Sequence, residues 1–174
     1  NAAGLSSNTR GVFGGGNPQS SPNNTNTMEY ITIASLGNAV DFGDSTSTAS
    51  TRTAPMNSPT RGVLAGGYGP SPYPHPGIIE YITTSTLGNA ADFGDLITSV
   101  SGASGASNAV RGVVMNGYTF PSPATVYYNN IEYITMATLG NATDFGDMSD
   151  AVSQGSGASS PTRAVSMGGT KAPG

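Results

Sequence analysis

Apolar and polar positions alternate over short runs along this chain, and the runs recur. In EYITIAS (Glu29–Ser35) the two faces, Glu29/Ile31/Ile33 and Tyr30/Thr32/Ala34, are both partly apolar. That pattern predicts a strand in a small sheet packed between two neighbouring sheets. TRGVFGGG (Thr9–Gly16) is a β-branched and aromatic run stopped by glycines. It predicts a strand that ends where the backbone needs a positive φ. Its counterparts are TRGVLAGG (Thr60–Gly67), VRGVVMNG (Val110–Gly117) and TRAVSMGG (Thr162–Gly169), the third having its Gly-Gly degraded to Asn116-Gly117. After EYITIAS comes Leu36-Gly37-Asn38-Ala39, where Gly-Asn predicts a tight hairpin turn, and DFGD (Asp41–Asp44) then begins or forms the returning strand. A Ser/Ala/Thr-rich stretch such as Leu96–Val110 leads to the next unit and has room for one weak strand. Helical periodicity is absent throughout.

The spacing turns these runs into a repeat. The Arg-Gly-Val or Arg-Ala-Val triplets start at Arg10, Arg61, Arg111 and Arg163, at intervals of 51, 50 and 52 residues, and Glu-Tyr-Ile-Thr starts at Glu29, Glu80 and Glu132, at intervals of 51 and 52. The chain is therefore read as a single repeat domain, 1–174, with units near 9–59, 60–109 and 110–161 and a partial unit at 162–174. Each unit offers three or four short strands, so the predicted class is all-β.

A strand ending in Gly-Gly, a variable loop, the acidic-aromatic EYIT strand, a turn and a fourth strand bearing an aromatic, at a period near 50, resemble the Kelch repeat of β-propellers. The resemblance covers nearly the whole chain. Kelch blades usually carry a Trp in the last strand; this chain has none, so Phe42, Phe93 and Phe145 are expected to take its packing role. The wording TRGVFGGG … IEYIT … LGNA.DFGDL is similar to Kelch-like repeats in tail-fibre and other structural proteins of marine bacteriophages, particularly those infecting cyanobacteria. The resemblance implies a virion-associated or extracellular adhesive role and supplies no catalytic residues.

Propellers close with roughly four to eight blades, whereas three units and part of a fourth are present here. Closure is expected from a homo-oligomer, from stacking as an open array, or from a longer polypeptide of which these residues are a part. The first residue is Asn1 rather than Met, which points to processing or to a piece of something longer.

Composition narrows the chemistry. Charged residues make up 9% of the chain and the net charge is −4, against roughly 25% charged in an average protein. The six basic residues form no cluster, so nucleic acid is not an expected partner. No run approaches the length of a membrane-spanning helix. With no Cys, thiolate catalysis, disulfides and Cys-based zinc sites are excluded.

Nine of the ten acidic residues belong to the repeat: Glu29, Glu80, Glu132, Asp41, Asp92, Asp144, Asp44, Asp95 and Asp147. With Arg10, Arg61, Arg111 and Arg163 they are read as structural. Each Arg is expected to satisfy carboxylates or carbonyls within or between units, and each Asp to cap a turn. Ca²⁺ at the DFGD pairs is the metal alternative, but two carboxylates supply too few ligands, and no metal or cofactor is expected. The D-F-G lacks every other element of a kinase site, and the glycine runs lack the Gly-Lys-Ser/Thr and helix of a phosphate loop. Ligand-binding candidates sit instead in the unlike loops before EYIT: Tyr68, Tyr73, His75, Tyr118, Phe120, Tyr127 and Tyr128. Aromatic rings on Pro-stiffened loops suit stacking on a sugar or contact with a protein, though the same rings could simply pack against neighbouring units. The expected role is a non-enzymatic structural or adhesive protein whose partners are other virion or surface subunits and a host-surface glycan or protein. A self-assembling fibre or sheath subunit is the alternative, and a glycan-acting enzyme the third reading.

Overall fold

The computed structural model describes residues 2–16, 25–47, 53–69, 77–120 and 124–171. Every regular element among them is a β-strand. The first sheet is an antiparallel meander of β1 (Ala3–Ser6), β2 (Arg10–Gly14), β3 (Thr27–Thr32) and β4 (Val40–Asp44). The second repeats it with β5 (Ala54–Asn57), β6 (Arg61–Ala65), β7 (Ile78–Thr83) and β8 (Ala91–Asp95). The third does so with β9 (Ser104–Ser107), β10 (Arg111–Thr119), β11 (Val126–Thr135) and β12 (Thr143–Asp147). A short pair, β13 (Val152–Ser153) with β16 (Thr170–Lys171), flanks β14 (Ser156–Ser159) and β15 (Ala164–Met167), which match the first two strands of a fourth sheet. The fold is thus all-β, a set of small antiparallel sheets that fits a sandwich-like or propeller-like assembly.

The sheets are phased one strand earlier than the sequence units. The weak strand of the Ser/Ala/Thr-rich stretch becomes the first strand of the following sheet, so the unit boundaries at 59/60 and 109/110 fall between β5 and β6 and between β9 and β10. These first strands stand side by side across the molecule, and glycine lets their backbones touch. A Cβ on Gly105 would lie 2.3 Å from the Pro55 carbonyl oxygen, and one on Gly157 2.0 Å from that of Gly105. Side chains lace the strand ends together: Asn57 Oδ1 accepts from the Ser6 N–H (2.8 Å), Ser107 Oγ from Asn57 (2.7 Å) and Ser159 Oγ from Ser107 (3.3 Å). The low hydrophobicity that made these strands weak in the sequence is what permits the close approach.

Period-two alternation sorts the other strands into faces. In the second sheet Val63, Ala65, Ile79 and Phe93 pack against Val114, Ile134 and Met136 of the third. Leu64 and Ile82 join Leu5, Val12, Met28 and Phe42 of the first. A thinner layer, Ala106, Val113 and Met115, covers part of the far face of the third sheet. Burial of each Val, Leu, Ile, Phe or Met among them stabilises by roughly 1.5–3 kcal/mol, so the layers between sheets supply the main cohesion.

The degraded glycine pair keeps its backbone. Asn116 has φ 60°, against 69° at Gly15, 64° at Gly66 and 67° at Gly168, and Asn is among the few residues that adopt this region without much strain. A bulge at Met115–Gly117 then lets β10 and β11 continue as a longer hairpin out to Thr119 and Val126.

Candidate functional site

The repeated Arg is placed by the start of the second strand in each sheet and points toward the next sheet. Arg10 Nη1 donates to the Thr84 carbonyl at 3.1 Å, and Arg61 Nη1 to the Met136 carbonyl at 2.9 Å. Each guanidinium also lies over the Tyr of its own EYIT strand, 4.9 Å from the rings of Tyr30 and Tyr81 and 4.4 Å from that of Tyr133. Of the two partners the sequence left open, carbonyls rather than carboxylates are found. The Phe of DFGD completes the stack edge-on, with Tyr30–Phe42 and Tyr81–Phe93 centroids 6.0 Å apart and Tyr133–Phe145 at 6.1 Å. Among the described residues the one ion pair is Lys171–Asp150 at 2.7 Å, on the surface.

The repeated Glu faces the opposite way, toward the preceding sheet. Buried Glu80 accepts from the Ser45 hydroxyl, from Thr46 N–H at 2.7 Å and from Thr46 Oγ1 at 2.6 Å. Buried Glu132 accepts from Ile97 N–H (2.8 Å), Thr98 N–H (2.9 Å) and Asn130 Nδ2 (2.7 Å). Each carboxylate therefore caps the backbone where the chain leaves the previous DFGD. Glu29, in the first sheet, is exposed.

The Gly-Asn segment corrects the hairpin expectation. The tight turn lies earlier, closed by N–H donation from Ser35 to Thr32, Thr86 to Thr83 and Thr138 to Thr135, each at 3.2 Å. Leu-Gly-Asn-Ala instead clasps the last strand of the preceding sheet. Gly88 N–H donates to Phe42 O and Ala90 N–H to Asp44 O, both at 2.8 Å, while Asn89 Oδ1 accepts from Asp44 N–H at 3.0 Å. Gly140, Asn141 and Ala142 do the same to Phe93 and Asp95, at 2.8, 3.1 and 2.8 Å. Asp44 and Asp95 thus serve through their backbones rather than as side-chain caps. Asp144 does make a local cap, accepting from Gly146 N–H at 3.2 Å. Asp41, Asp92 and Asp147 are exposed. Among the described residues no group of three or more His, Asp or Glu is placed to hold a metal ion.

The loop aromatics divide. Tyr118 is only 2% exposed and is among the largest fully buried side chains, so it is a packing residue rather than a ligand contact. Its ring lies beside Gly102, and its backbone exchanges hydrogen bonds with Ser101 at 2.9 Å each way. Phe120 is 51% exposed and stacks edge-on to Tyr118 at 4.9 Å, with half-buried Tyr127 at 6.3 Å from the same ring. Tyr128 points into the layer between the second and third sheets and its hydroxyl meets Thr119 Oγ1 at 3.3 Å. Tyr68 is partly exposed at the equivalent edge of the second sheet. Tyr73 and His75 lie outside the described residues. Phe120 and Tyr127 thus both lie against the Tyr118 ring.

The clasp residues Gly88–Ala90 and Gly140–Ala142 were not singled out from the sequence as contacts between sheets. Their signal was present as an identical Leu-Gly-Asn-Ala in every unit, more constant than a solvent-facing turn requires.

No protein-family model matches the chain, and no curated protein matches it. Among solved structures, that of YjhT is similar, with a TM-score of 0.72 and 11% identity over 98% of this chain. The chain spans 62% of the length of that protein. At this identity the likeness concerns the arrangement of sheets alone.

Proposed function

We propose that the sheets are Kelch-like propeller blades and that the chain is a non-enzymatic structural and adhesive module of a virion or other extracellular surface, such as a tail fibre. The observation that carries this reading is the employment of the recurring charges. Arg10, Arg61, Glu80 and Glu132 are spent on joints between sheets, so these recurring charges already have structural employment. The unlike hairpins before EYIT are left to vary, and one of them presents Phe120 and Tyr127 on a buried Tyr118. Such a pre-set aromatic edge suits a host-surface glycan or protein, and repetition of weak contacts on one particle raises avidity. The wording of the repeats, which resembles that of phage structural proteins, supports placement on a virion.

A glycan array probed with the whole protein tests this. A bound glycan whose affinity falls at least about tenfold in the Phe120→Ala/Tyr127→Ala double variant, with melting temperature retained, is the expected result. A blank array together with filaments in negative stain would defeat adhesion and favour the second reading, a self-assembling fibre or sheath subunit. That reading draws on the uncovered face of the first sheet, where Leu36 is fully exposed and Ile33 is 55% exposed. Turnover of a polysaccharide would sink the non-enzymatic assignment.

A further inference from the structure

Where the first sheet meets the second and the second meets the third, the backbone clasp is the same, yet the polar side chains buried beside it differ. At the first of these joints the Glu80 carboxylate is met by two hydroxyls of the preceding sheet, those of Ser45 and Thr46, together with Thr46 N–H. At the second, Leu96 and Ile97 stand where Ser45 and Thr46 stand, and neither carries a hydroxyl. Glu132 takes a side-chain amide from its own strand instead, Asn130 Nδ2 donating to it at 2.7 Å. The registers Ile78↔Asp95 and Asn130↔Asp147 put Ile78, with no polar side chain, at the corresponding place in the second sheet. Where the third sheet meets β14 and β15, a third arrangement is found. Asn116, 1% exposed, donates from Nδ2 to Ser166 Oγ at 3.0 Å, and Ser166 Oγ donates in turn to Ser104 Oγ at 3.2 Å. The positions equivalent to Asn116 and Ser166 are Gly15 and Leu64 at the first joint and Gly66 and Val114 at the second, with no polar side chain in either pair.

We propose that these side chains key the joints, so that each sheet accepts the neighbour that follows it in the chain and rejects the equivalent surface of any other sheet, whether from the same chain or from a second copy. Specificity is a difference between right and wrong pairings. A buried polar group without its partner makes that difference large, because it has given up water and gained nothing. With Leu64 in the place of Ser166, the Asn116 amide would face a side chain that has no acceptor. With the second sheet, carrying Ile78, seated behind Ile97 and Thr98, the Glu80 carboxylate would keep backbone N–H groups but lose both hydroxyls and gain no amide. With Ser166 in the place of Val114, a hydroxyl would enter the apolar layer of Ile79 and Phe93. A single buried Asn sets register and partner in coiled coils by the same logic. Sheets whose EYIT and DFGD strands are worded so alike would otherwise dock in any order, and misassembly of units is a characteristic failure of repeat chains.

Two paired variants of the whole chain test this, each copying a pairing already in use at another joint. Asn116→Gly/Ser166→Val gives the third joint the Gly66–Val114 pairing of the second, and Asn130→Ile/Ile97→Thr gives the second joint the Ile78 and Thr46 of the first. Ile97 is 61% exposed, so the exchange there removes no core packing. In urea titrations Ser166→Val is expected to lower the folding equilibrium constant about tenfold while Asn116 is present and to leave it nearly unchanged in the Asn116→Gly background. Ile97→Thr is expected to restore what Asn130→Ile loses. Refolding from urea at rising protein concentration, followed by size-exclusion chromatography, is the readout that a merely stabilising role would not move. Each paired variant is expected to match the unaltered chain in stability yet to return fewer molecules to its elution position, the shortfall appearing as oligomer that grows with concentration. Losses that simply add, or paired variants that recover as cleanly as the unaltered chain, overturn the proposal. So does a failure of both pairs to fold, since each pairing is one that the fold already holds. Glycan binding enters none of these readouts, so a blank array leaves the keyed joints standing.

Discussion

Glu29, Glu80 and Glu132 are one residue of the repeat in two environments. Glu80 and Glu132 are buried against backbone N–H groups of the sheet in front, and Glu29 has no sheet in front of it among the described residues. Hydrogen bonds to a charged acceptor are worth about 1.5–3 kcal/mol, and a buried donor left unsatisfied costs a similar amount. Glu80→Gln is therefore expected to destabilise by about 2 kcal/mol, while Glu29→Gln leaves the urea midpoint in place, both read by circular dichroism. Equal effects would mean that the carboxylate acts within its own sheet. The structural part of this assignment was legible from triplication alone. Its direction was not: a short sequence string does not say whether an acid reaches forward, backward or to its own Arg, and here the Arg takes carbonyls while the Glu takes amides. Tyr118, 2% exposed, falls to the packing alternative that the sequence left open. It stands in one of the unlike loops before EYIT, but β10 runs on past Asn116-Gly117 to Thr119 and pairs there with β11.

At the scale of elements, the alternation within Arg-Gly-Val and Glu-Tyr-Ile-Thr made the second and third strands plain, because side chains fill both faces. The first strand, such as Ser104–Ser107, was faint because its neighbour is backbone, not side chain. Leu-Gly-Asn-Ala misled because a positive φ serves a turn and a close approach equally well. Gly88 and Gly140, both clasping, have φ 146° and 148°, while Gly37, with nothing to clasp among the described residues, does not enter that region. A pair of alanine variants separates the two effects. Gly94 and Gly146 both hold a positive φ, 146° and 131°, so each substitution brings strain of about 1 kcal/mol or a little more. Only at Gly94 does the added carbon meet the next sheet, 2.5 Å from Gly140 O. Gly94→Ala is expected to lower stability by roughly 3 kcal/mol in all, clearly more than Gly146→Ala, in paired urea titrations. Indistinguishable losses would remove the clasp from the joint.

At the scale of the molecule, the sheets are joined to their neighbours in order, and stability is expected to accumulate along the chain as in other repeat arrays. Period and strand content foretold such an array, since a unit whose two faces are both apolar needs a neighbour on each side. They did not foretell how neighbours grip, because the grip is made of main-chain groups that every residue carries alike. Arg lies on a carbonyl and a ring, Glu on amide hydrogens, and Gly-Asn-Ala on the backbone of DFGD. Charge thus meets dipoles and a quadrupole, at short range and partly buried, rather than opposite charge across solvent. Dissolved ions screen separated charges over about 10 Å at 0.1 M and about 3 Å at 1 M, and they have little purchase on contacts of this kind. The melting temperature is accordingly expected to stay level between dilute buffer and 1 M sodium chloride, a pronounced fall being the sign that surface ion pairs bear the load. A module joined in this manner would keep its shape from fresh water to brine.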